Sequence, residues 1–256
     1  MLLPGLLFLL LQAPAAPAPP TDAPSARVWG GRNVEFEAYL REAPVARVKD
    51  LDLGVTHPKR AFFAPGGLAG SAAWKPLSPG FRNGYWESYK SEIAAYEIDK
   101  LLDLEMVPVV VERKIDGKTG AAILWLEGVR TWTEVLPLPK PGSWSRQLAR
   151  MKLFDDLIGN SDRNKGNLLV DEAWNLYLID HSRAFLDDRT LPQTIDHVDS
   201  ALWARMEALD EASLSAAAGQ WLTKPQIKSM LARRDKMAAI IAALVKKNGR
   251  PAVFVW

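Results

Sequence analysis

The chain has 256 residues, of which 48% are hydrophobic and 24% charged, and this composition is typical of a globular protein rather than a disordered one. Its 32 Lys and Arg residues nearly balance 30 Asp and Glu residues, so the net charge of +2 gives no electrostatic footprint for nucleic acid. Because the sequence contains no Cys, disulfides, thiolate zinc sites and a cysteine nucleophile are excluded.

Residues 1–26 are predicted to be a leader outside the fold. The apolar run MLLPGLLFLLLQ has the length of a signal-peptide core and is too short to span a bilayer, so we expect no transmembrane span in the mature chain. The segment APAAPAPP then offers small residues for cleavage. No Lys or Arg precedes the apolar run, so the alternatives are an exported protein and a cytoplasmic one with a low-complexity leader.

The first half of the remaining sequence predicts strands and two helices. NVEFEAYLREA begins with Asn33, a residue that often caps helices, and has apolar residues at helical spacing. VARVKDLDLG predicts a strand, and RAFFAPGGLAGSAAWKP predicts a hairpin whose tip contains Gly66, Gly67 and Gly70. Residues 85–104 predict one long helix, and VPVVVERKIDGKTGAAILWLEG predicts a second hairpin.

The second half predicts mainly helices. These are expected at 143–159, 200–220 and 224–247, and a proline-rich connection, LEGVRTWTEVLPLPKPG, precedes them. The chain is long enough for two small lobes that share a cleft. The sequence therefore predicts an α+β protein with a strand-rich lobe over 27–129, which includes the long helix, and a mainly helical lobe over 130–256.

One stretch, LIGNSDRNKGNLLVDEAWNLYLIDHSRAF, concentrates polar residues next to two short apolar segments. The segments LLV and LYLI predict a strand pair that returns Asp180 to the end where Asn167 lies. An Asn amide oxygen and an Asp carboxylate are hard ligands suited to Mg²⁺ or Mn²⁺ beside phosphates. Asp162, in the preceding loop, is placed to accept a proton from a hydroxyl or to orient it. The alternative is a purely structural loop, because Asp, Asn and Gly also form turns.

Asp162, Asn167 and Asp180 together resemble the protein-kinase spacing of a catalytic Asp, a metal-binding Asn and a metal-binding Asp. The motif SDRNKGN resembles the corresponding segment of the lipid-kinase-like branch, the secretory-pathway (Golgi) kinases and the HipA-type kinases. SEIAAYEIDKLL likewise resembles a helix of the secretory-pathway kinases. LIDHSRAF lacks the Phe-Gly that commonly follows the metal-binding Asp, so we infer no switch driven by a Phe side chain.

The resemblance implies roles for two charged residues of the first half. Lys75, on the strand after the glycine-containing tip, would hold the α- and β-phosphates of ATP and pair with Glu92 on the long helix. Glu97 is the rival partner, but five residues later it lies about 500° around the helix and faces elsewhere. We also expect Arg163 to anchor its loop by pairing with Asp155 or Asp156.

The resemblance further implies a set of nucleotide contacts. A plain hairpin turn explains the glycines of the tip equally well. Lys165, in the polar loop, is one position away from the usual place of the loop lysine in kinases. The adenine is expected against the segment WLEG. The implied contacts are Gly66, Gly67, Gly70, Lys75, Trp125, Leu126, Glu127 and Lys165.

The predicted function is an ATP-dependent kinase that transfers the γ-phosphate to a hydroxyl of a protein, a lipid or a sugar, with Asp162 as the catalytic carboxylate. No platform for a peptide substrate is recognisable after Asp180, so the acceptor is open. Three alternatives are a non-catalytic nucleotide-binding pseudokinase, an adenylyl transferase on the same fold with ATP reversed, and a hydrolase that uses both carboxylates. The hydrolase would leave Lys75 and Glu92 without a role.

Overall fold

The computed structural model describes residues 25–51 and 58–256. Residues 1–24, which include most of the predicted leader, lie outside the described residues, and the leader stays a prediction. The last two residues that we assigned to it already contact the folded chain. The hydroxyl of Ser25 and the amide of Ala26 donate to Asp171 Oδ2, at 3.2 and 3.0 Å.

The elements of the strand-rich half are α1 (Asn33–Glu42), β1 (Val45–Asp50), β2 (Lys59–Phe63), β3 (Ser71–Lys75), β4 (Gly80–Arg82), β5 (Tyr85–Glu87), α2 (Tyr89–Leu101), β6 (Val110–Ile115) and β7 (Lys118–Leu124). This half is built around one antiparallel sheet, in the order β1-β2-β3-β7-β6. The helix α2 packs against β6 and β7 of this sheet, and α1 packs against the same two strands. The predicted strand VARVKDLDLG ends in residues 52–54, which lie outside the described residues.

The long helix begins later than the sequence predicts. Residues 85–87 form β5, which pairs with β4 across a turn at Asn83 and Gly84, where φ is 49° and 83°. Positive φ at both positions is the requirement of a tight hairpin turn, and Asn-Gly is the dipeptide that meets it most easily. The hydroxyl of Ser88 then caps α2 by accepting the amide of Lys90 at 3.0 Å.

The elements of the helical half are β8 (Arg130–Thr131), α3 (Trp132–Val135), α4 (Trp144–Ile158), a short 3₁₀ helix (Lys165–Asn167), β9 (Leu168–Val170), β10 (Leu176–Leu178), α5 (Ser200–Glu207), α6 (Glu211–Ala218), α7 (Lys224–Asn248) and α8 (Arg250–Val253). This half contains a second, three-stranded sheet in the order β10-β9-β8. The predicted helix over 200–220 is interrupted, because Asp210 caps a new helix by accepting the amide of Ser213 at 2.7 Å.

A single cluster of buried apolar side chains runs through both halves. The helix α4 contributes many of its members and ends at Gly159, whose φ of 65° is the left-handed conformation that glycine adopts without strain. The chain therefore turns at the end of α4, just before the polar loop 160–167. Within the two described ranges, no helix combines the length and the apolar character that a bilayer span requires.

Candidate active site

Arg163 holds the polar loop in place. Its Nε and Nη2 donate to the two carboxylate oxygens of Asp155, each at 2.9 Å, and both side chains are buried in the core. Its Nη1 donates to the backbone oxygens of Asn167 and Ile179, at 3.0 and 2.9 Å. Of the two predicted partners, Asp155 and Asp156, Arg163 pairs with Asp155, and its contacts fix the loop to both α4 and the β9–β10 hairpin.

The β9–β10 hairpin brings Asn167 and Asp180 to one end, as the sequence predicts. Leu168 pairs with Leu178 in the ladder, and the amide of Ile179 donates to the backbone oxygen of Asn167 at 3.1 Å. The side-chain amide of Asn167 donates to the backbone oxygen of Asp162 at 2.9 Å. Because Nδ2 is used in this bond, the amide oxygen of Asn167 remains able to bind a cation.

Lys75 connects the two halves of the chain. Its Nζ lies 2.7 Å from Glu92 Oε1 on α2 and 2.8 Å from Asp180 Oδ1 after β10. The side chains of Lys75 and Glu92 are 7% and 2% exposed, whereas that of Asp180 is 28% exposed. Glu97, the rival partner, instead pairs with Lys100 at 3.0 Å. The structure therefore brings together three residues that lie far apart in the sequence.

The buried charges at this junction stabilise one another. Burial raises the pKa of a carboxyl group, but the Lys75 ammonium and the contacts with His181 outweigh it and lower the pKa of Glu92 to about 2. Burial likewise opposes the charged form of Lys75, yet the attraction of Glu92 and Asp180 raises its pKa above the ordinary value. Lys75 and Glu92 are therefore both charged at neutral pH.

His181 ties Glu92 to the polar loop. Its backbone amide donates to Glu92 Oε2 at 2.9 Å, and its Nε2 lies 2.8 Å from Nη2 of Arg163. Since an arginine can only donate, Nε2 accepts, and the neutral ring carries its hydrogen on Nδ1. Burial lowers the pKa of His181, which agrees with a neutral ring. His181 is thus a hydrogen-bonded residue of the core.

Asp162 has a partner that the sequence analysis missed. Arg183 Nη1 donates to Asp162 Oδ2 at 3.1 Å, while Nε and Nη2 of the same guanidinium donate to Glu87 Oε1 at 2.9 and 2.8 Å. Glu87 belongs to β5, which we predicted as the first turn of the long helix. The Asn-Gly turn before it was the signal that could have placed Glu87 on a strand.

The glycine-containing tip is shaped in part by the neighbouring helix. A Cβ at Gly67 would lie 1.9 Å from the hydroxyl of Tyr39 on α1, and that hydroxyl donates to the backbone oxygen of Ala69 at 3.0 Å. Gly66 has a φ of 87°. Packing and turn geometry therefore account for these two glycines, and contact with phosphates by Gly66, Gly67 and Gly70 stays a prediction.

The segment after β7, where adenine is predicted, is braced by Arg60 of β2. The Arg60 guanidinium lies 4.0 Å from the centre of the Trp125 ring, and its Nη2 donates to Glu127 Oε1 at 2.6 Å. Leu126 is buried, with 7% exposure. Lys165 is exposed in the short 3₁₀ helix. The nucleotide contacts of these four residues stay predictions.

The donor set at the cleft suits a divalent cation that also binds phosphate. The free amide oxygen of Asn167 and the carboxylate of Asp180 are hard ligands, and Mg²⁺ in such sites commonly takes further oxygens from phosphates and water. Across the described residues, no group of three or more His, Asp or Glu side chains forms a complete metal site by itself.

The depressed pKa of Glu92 predicts how stability changes in acid. A Glu with a folded pKa of about 2 and an ordinary unfolded pKa of about 4.3 contributes stability above the higher value, and the contribution is lost as the pH falls toward the lower one. Glu92→Gln should therefore flatten the fall in the free energy of unfolding over this range, measured by urea denaturation at several pH values. Glu97→Gln is the matched control. An unchanged slope in Glu92→Gln would contradict this account.

Gly120 of β7 controls the position of Lys75, although its sequence context gives no sign of this. A Cβ at Gly120 would lie 2.4 Å from the backbone oxygen of Lys75 and 2.6 Å from Cα of Pro76. Gly120→Ala should therefore shift β3, lower the free energy of unfolding by about 1–3 kcal/mol and weaken binding of ADP with Mn²⁺. Calorimetry of both quantities checks this. Gly142→Ala, at a glycine whose Cβ would meet nothing within 4 Å, should change neither.

No protein-family model matches this sequence, and no curated protein matches it. Solved structures do match. The Golgi casein kinase with Mn and ADP bound is 14% identical, with a TM-score of 0.68 over 88% of this chain and 79% of that chain. The hydra Fam20 structure with sugar is 17% identical, with a TM-score of 0.68 over 86% of this chain and 91% of that one.

At such identities the similarity establishes the fold and leaves the activity open. The protein has a protein-kinase-like fold of the kind seen in these two structures. The predicted α+β, kinase-like fold and the resemblance on which it was based are therefore confirmed.

Proposed function

We propose that this chain, which has the protein-kinase-like fold, is an ATP-dependent phosphotransferase that moves the γ-phosphate of ATP to a hydroxyl acceptor. One observation carries the proposal: Lys75 Nζ lies 2.7 Å from Glu92 and 2.8 Å from Asp180. A buried lysine held between a helix glutamate and a cleft aspartate is the arrangement that kinases need for the phosphates of ATP. The predicted set of Lys75, Glu92, Asp162, Asn167 and Asp180 gives each of these three charged residues a role.

The nucleotide would be held by charge. Lys75 would contact the α- and β-phosphates, and Asn167 and Asp180 would hold Mg²⁺ or Mn²⁺ beside them. When bound, the ion neutralises the negative charge that the phosphates carry and develop during transfer. The Golgi casein kinase structure, which contains Mn and ADP, supports this assignment through its fold.

Asp162 would receive the acceptor. Its side chain is 35% exposed, more than those of Lys75 and Glu92, so an incoming hydroxyl can reach it. The hydroxyl oxygen would form a bond to the γ-phosphorus as the bond to the β-phosphate oxygen breaks, and the hydroxyl proton would pass to the Asp162 carboxylate. ADP would be the leaving group. Because phosphoryl transfer depends mainly on positioning and charge, these few side chains are sufficient for it.

The proposal specifies the acceptor only as a molecule with a hydroxyl group. Proteins with Ser or Thr, lipid head groups and sugars all present one. The fold does not choose among them, since one fold hosts many activities. A panel of the three acceptor types with ATP labelled on the γ-phosphate would identify which class takes the label.

Product analysis tests the function directly. The full chain is incubated with ATP and Mn²⁺ or Mg²⁺, with Asp180→Asn in parallel, and the nucleotide products are separated. We expect ADP, and we expect it to depend on Asp180. AMP-modified acceptor with released pyrophosphate would instead establish adenylyl transfer. Binding of ATP without any turnover would favour the pseudokinase.

A further inference from the structure

Arg183 links Asp162 to the hairpin formed by β4 and β5. Its Nη1 donates to Asp162 Oδ2 at 3.1 Å, and its Nε and Nη2 both donate to Glu87 Oε1, at 2.9 and 2.8 Å. The ring of Tyr85 lies against the same guanidinium, 4.2 Å from its central carbon. The kinase-like spacing in the polar stretch assigns no role to Arg183, Glu87 or Tyr85.

These contacts fix the orientation of the guanidinium. Because Nε and Nη2 converge on one oxygen of Glu87 and the Tyr85 ring covers a face, the group cannot rotate without losing several contacts. Nη1 is thereby directed at Asp162. Glu87 is 4% exposed and the Arg183 side chain 15% exposed, so solvent screens the pair of Arg183 with Glu87 only weakly.

The charge state of Arg183 agrees with this geometry. Burial opposes the charged form, but the hydrogen bonds to Glu87 and the attraction of Asp162 outweigh it and raise the pKa of the guanidinium. The backbone helps as well, since the amide of Ser88, next to Glu87, donates to the backbone oxygen of Ser182 at 2.9 Å. The hairpin and the segment after Asp180 are therefore joined at two points.

We propose that Arg183, held by Glu87, is a positioning residue that orients the Asp162 carboxylate toward the acceptor hydroxyl. The inference rests on the proposed function and extends it to the β4–β5 hairpin. With Oδ2 bound to Arg183, the carboxylate presents Oδ1 to the acceptor. Arg183 touches neither nucleotide nor acceptor in this assignment, and it acts through Asp162 alone.

Steady-state kinetics of the full chain test the assignment, with ADP release from ATP and Mn²⁺ as the readout and water as the acceptor. Arg183→Gln should lower kcat by about 10²-fold, because misplacing a reacting group by about 1 Å has an effect of that size. KM for ATP should stay within about twofold, since a loss confined to the transition state lowers kcat alone. Arg183→Lys should recover part of kcat, because it keeps the charge.

A matched control is available in the same hairpin. Arg82 donates instead to the backbone oxygens of Ser78 and Gly80, at 2.7 and 3.4 Å. Arg82→Gln should leave kcat unchanged. Glu87→Gln should lower kcat in the same direction as Arg183→Gln, and it carries the test if Arg183→Gln fails to fold.

A double-mutant cycle separates positioning from a merely structural role. If Arg183 acts through Asp162, Arg183→Gln should cause no further loss of kcat in an Asp162→Asn background. Equal losses in both backgrounds would overturn the assignment, as would wild-type kcat in both Arg183→Gln and Glu87→Gln. In that case Asp180-dependent ADP release by the wild-type chain would leave the proposed function standing. Absence of ADP release from the wild-type chain would overturn both.

Discussion

Asp180→Asn is expected to lower ADP release by at least about 10³-fold while the chain stays folded, because phosphoryl transfer depends on charge at this position. Asp180 serves two groups: its carboxylate binds Lys75 at 2.8 Å, and it would supply a charged ligand to the cation of the proposed site. The Asn side chain keeps the shape and removes the charge. Binding of ATP with Mn²⁺ should weaken in the same variant.

The fold should tolerate this change. Asp180 is 28% exposed, and Lys75 keeps its buried partner Glu92 when the Asp180 charge is removed. Circular dichroism and thermal melting of Asp180→Asn should therefore resemble those of the wild-type chain. Asp187→Asn, at an exposed position of the same segment, is the control and should retain full activity. Turnover by Asp180→Asn at the wild-type rate would remove Asp180 from the site.

Lys75→Met is expected to lower the free energy of unfolding by about 3–5 kcal/mol, the usual cost of removing one member of a buried ion pair. The methionine fills the space of the lysine side chain, so the effect comes from the charge. The substitution would leave the carboxylate of the buried residue Glu92 without its cation. Chemical denaturation measures the loss.

The double variant Lys75→Met with Glu92→Gln makes the cause of this loss testable. Replacing the buried carboxylate by an amide removes the unpaired charge, so the double variant should be more stable than Lys75→Met alone. The backbone amide of His181, which donates to Glu92 Oε2 at 2.9 Å, can still donate to the Gln side-chain oxygen. If the double variant loses as much free energy of unfolding as the two single variants together, the ion pair does not link the two residues.

The parts of the site that the sequence predicted are those set by local chain geometry. Asn167 and Asp180 are joined by one short hairpin, so the spacing alone brings them to the same end. The pairing of Arg163 with Asp155 spans only eight residues. The bridge from Lys75 to Glu92 needed the resemblance, because nothing in the periodicity of either segment points to the other.

The parts that were missed depend on contacts between distant segments or on a turn. Glu87 lies 96 residues before Arg183, and only the folded chain brings them together. The helix prediction extended back to residue 85 because Tyr85 and Trp86 suit a helix face as well as a strand, and the Asn83-Gly84 turn decides for the strand. Gly120 is a similar case, since the backbone at the end of another strand leaves no room for a side chain at this position.

The fate of labelled phosphate tests the central claim most directly. The full chain is given ATP labelled either on the α-phosphate or on the γ-phosphate, together with Mn²⁺, and the label is followed in nucleotide, free phosphate and protein. The proposed site predicts that only the γ-label leaves the nucleotide, and that its release disappears in Asp180→Asn. Transfer of the α-label, or release of the γ-label that survives Asp180→Asn, would contradict the account.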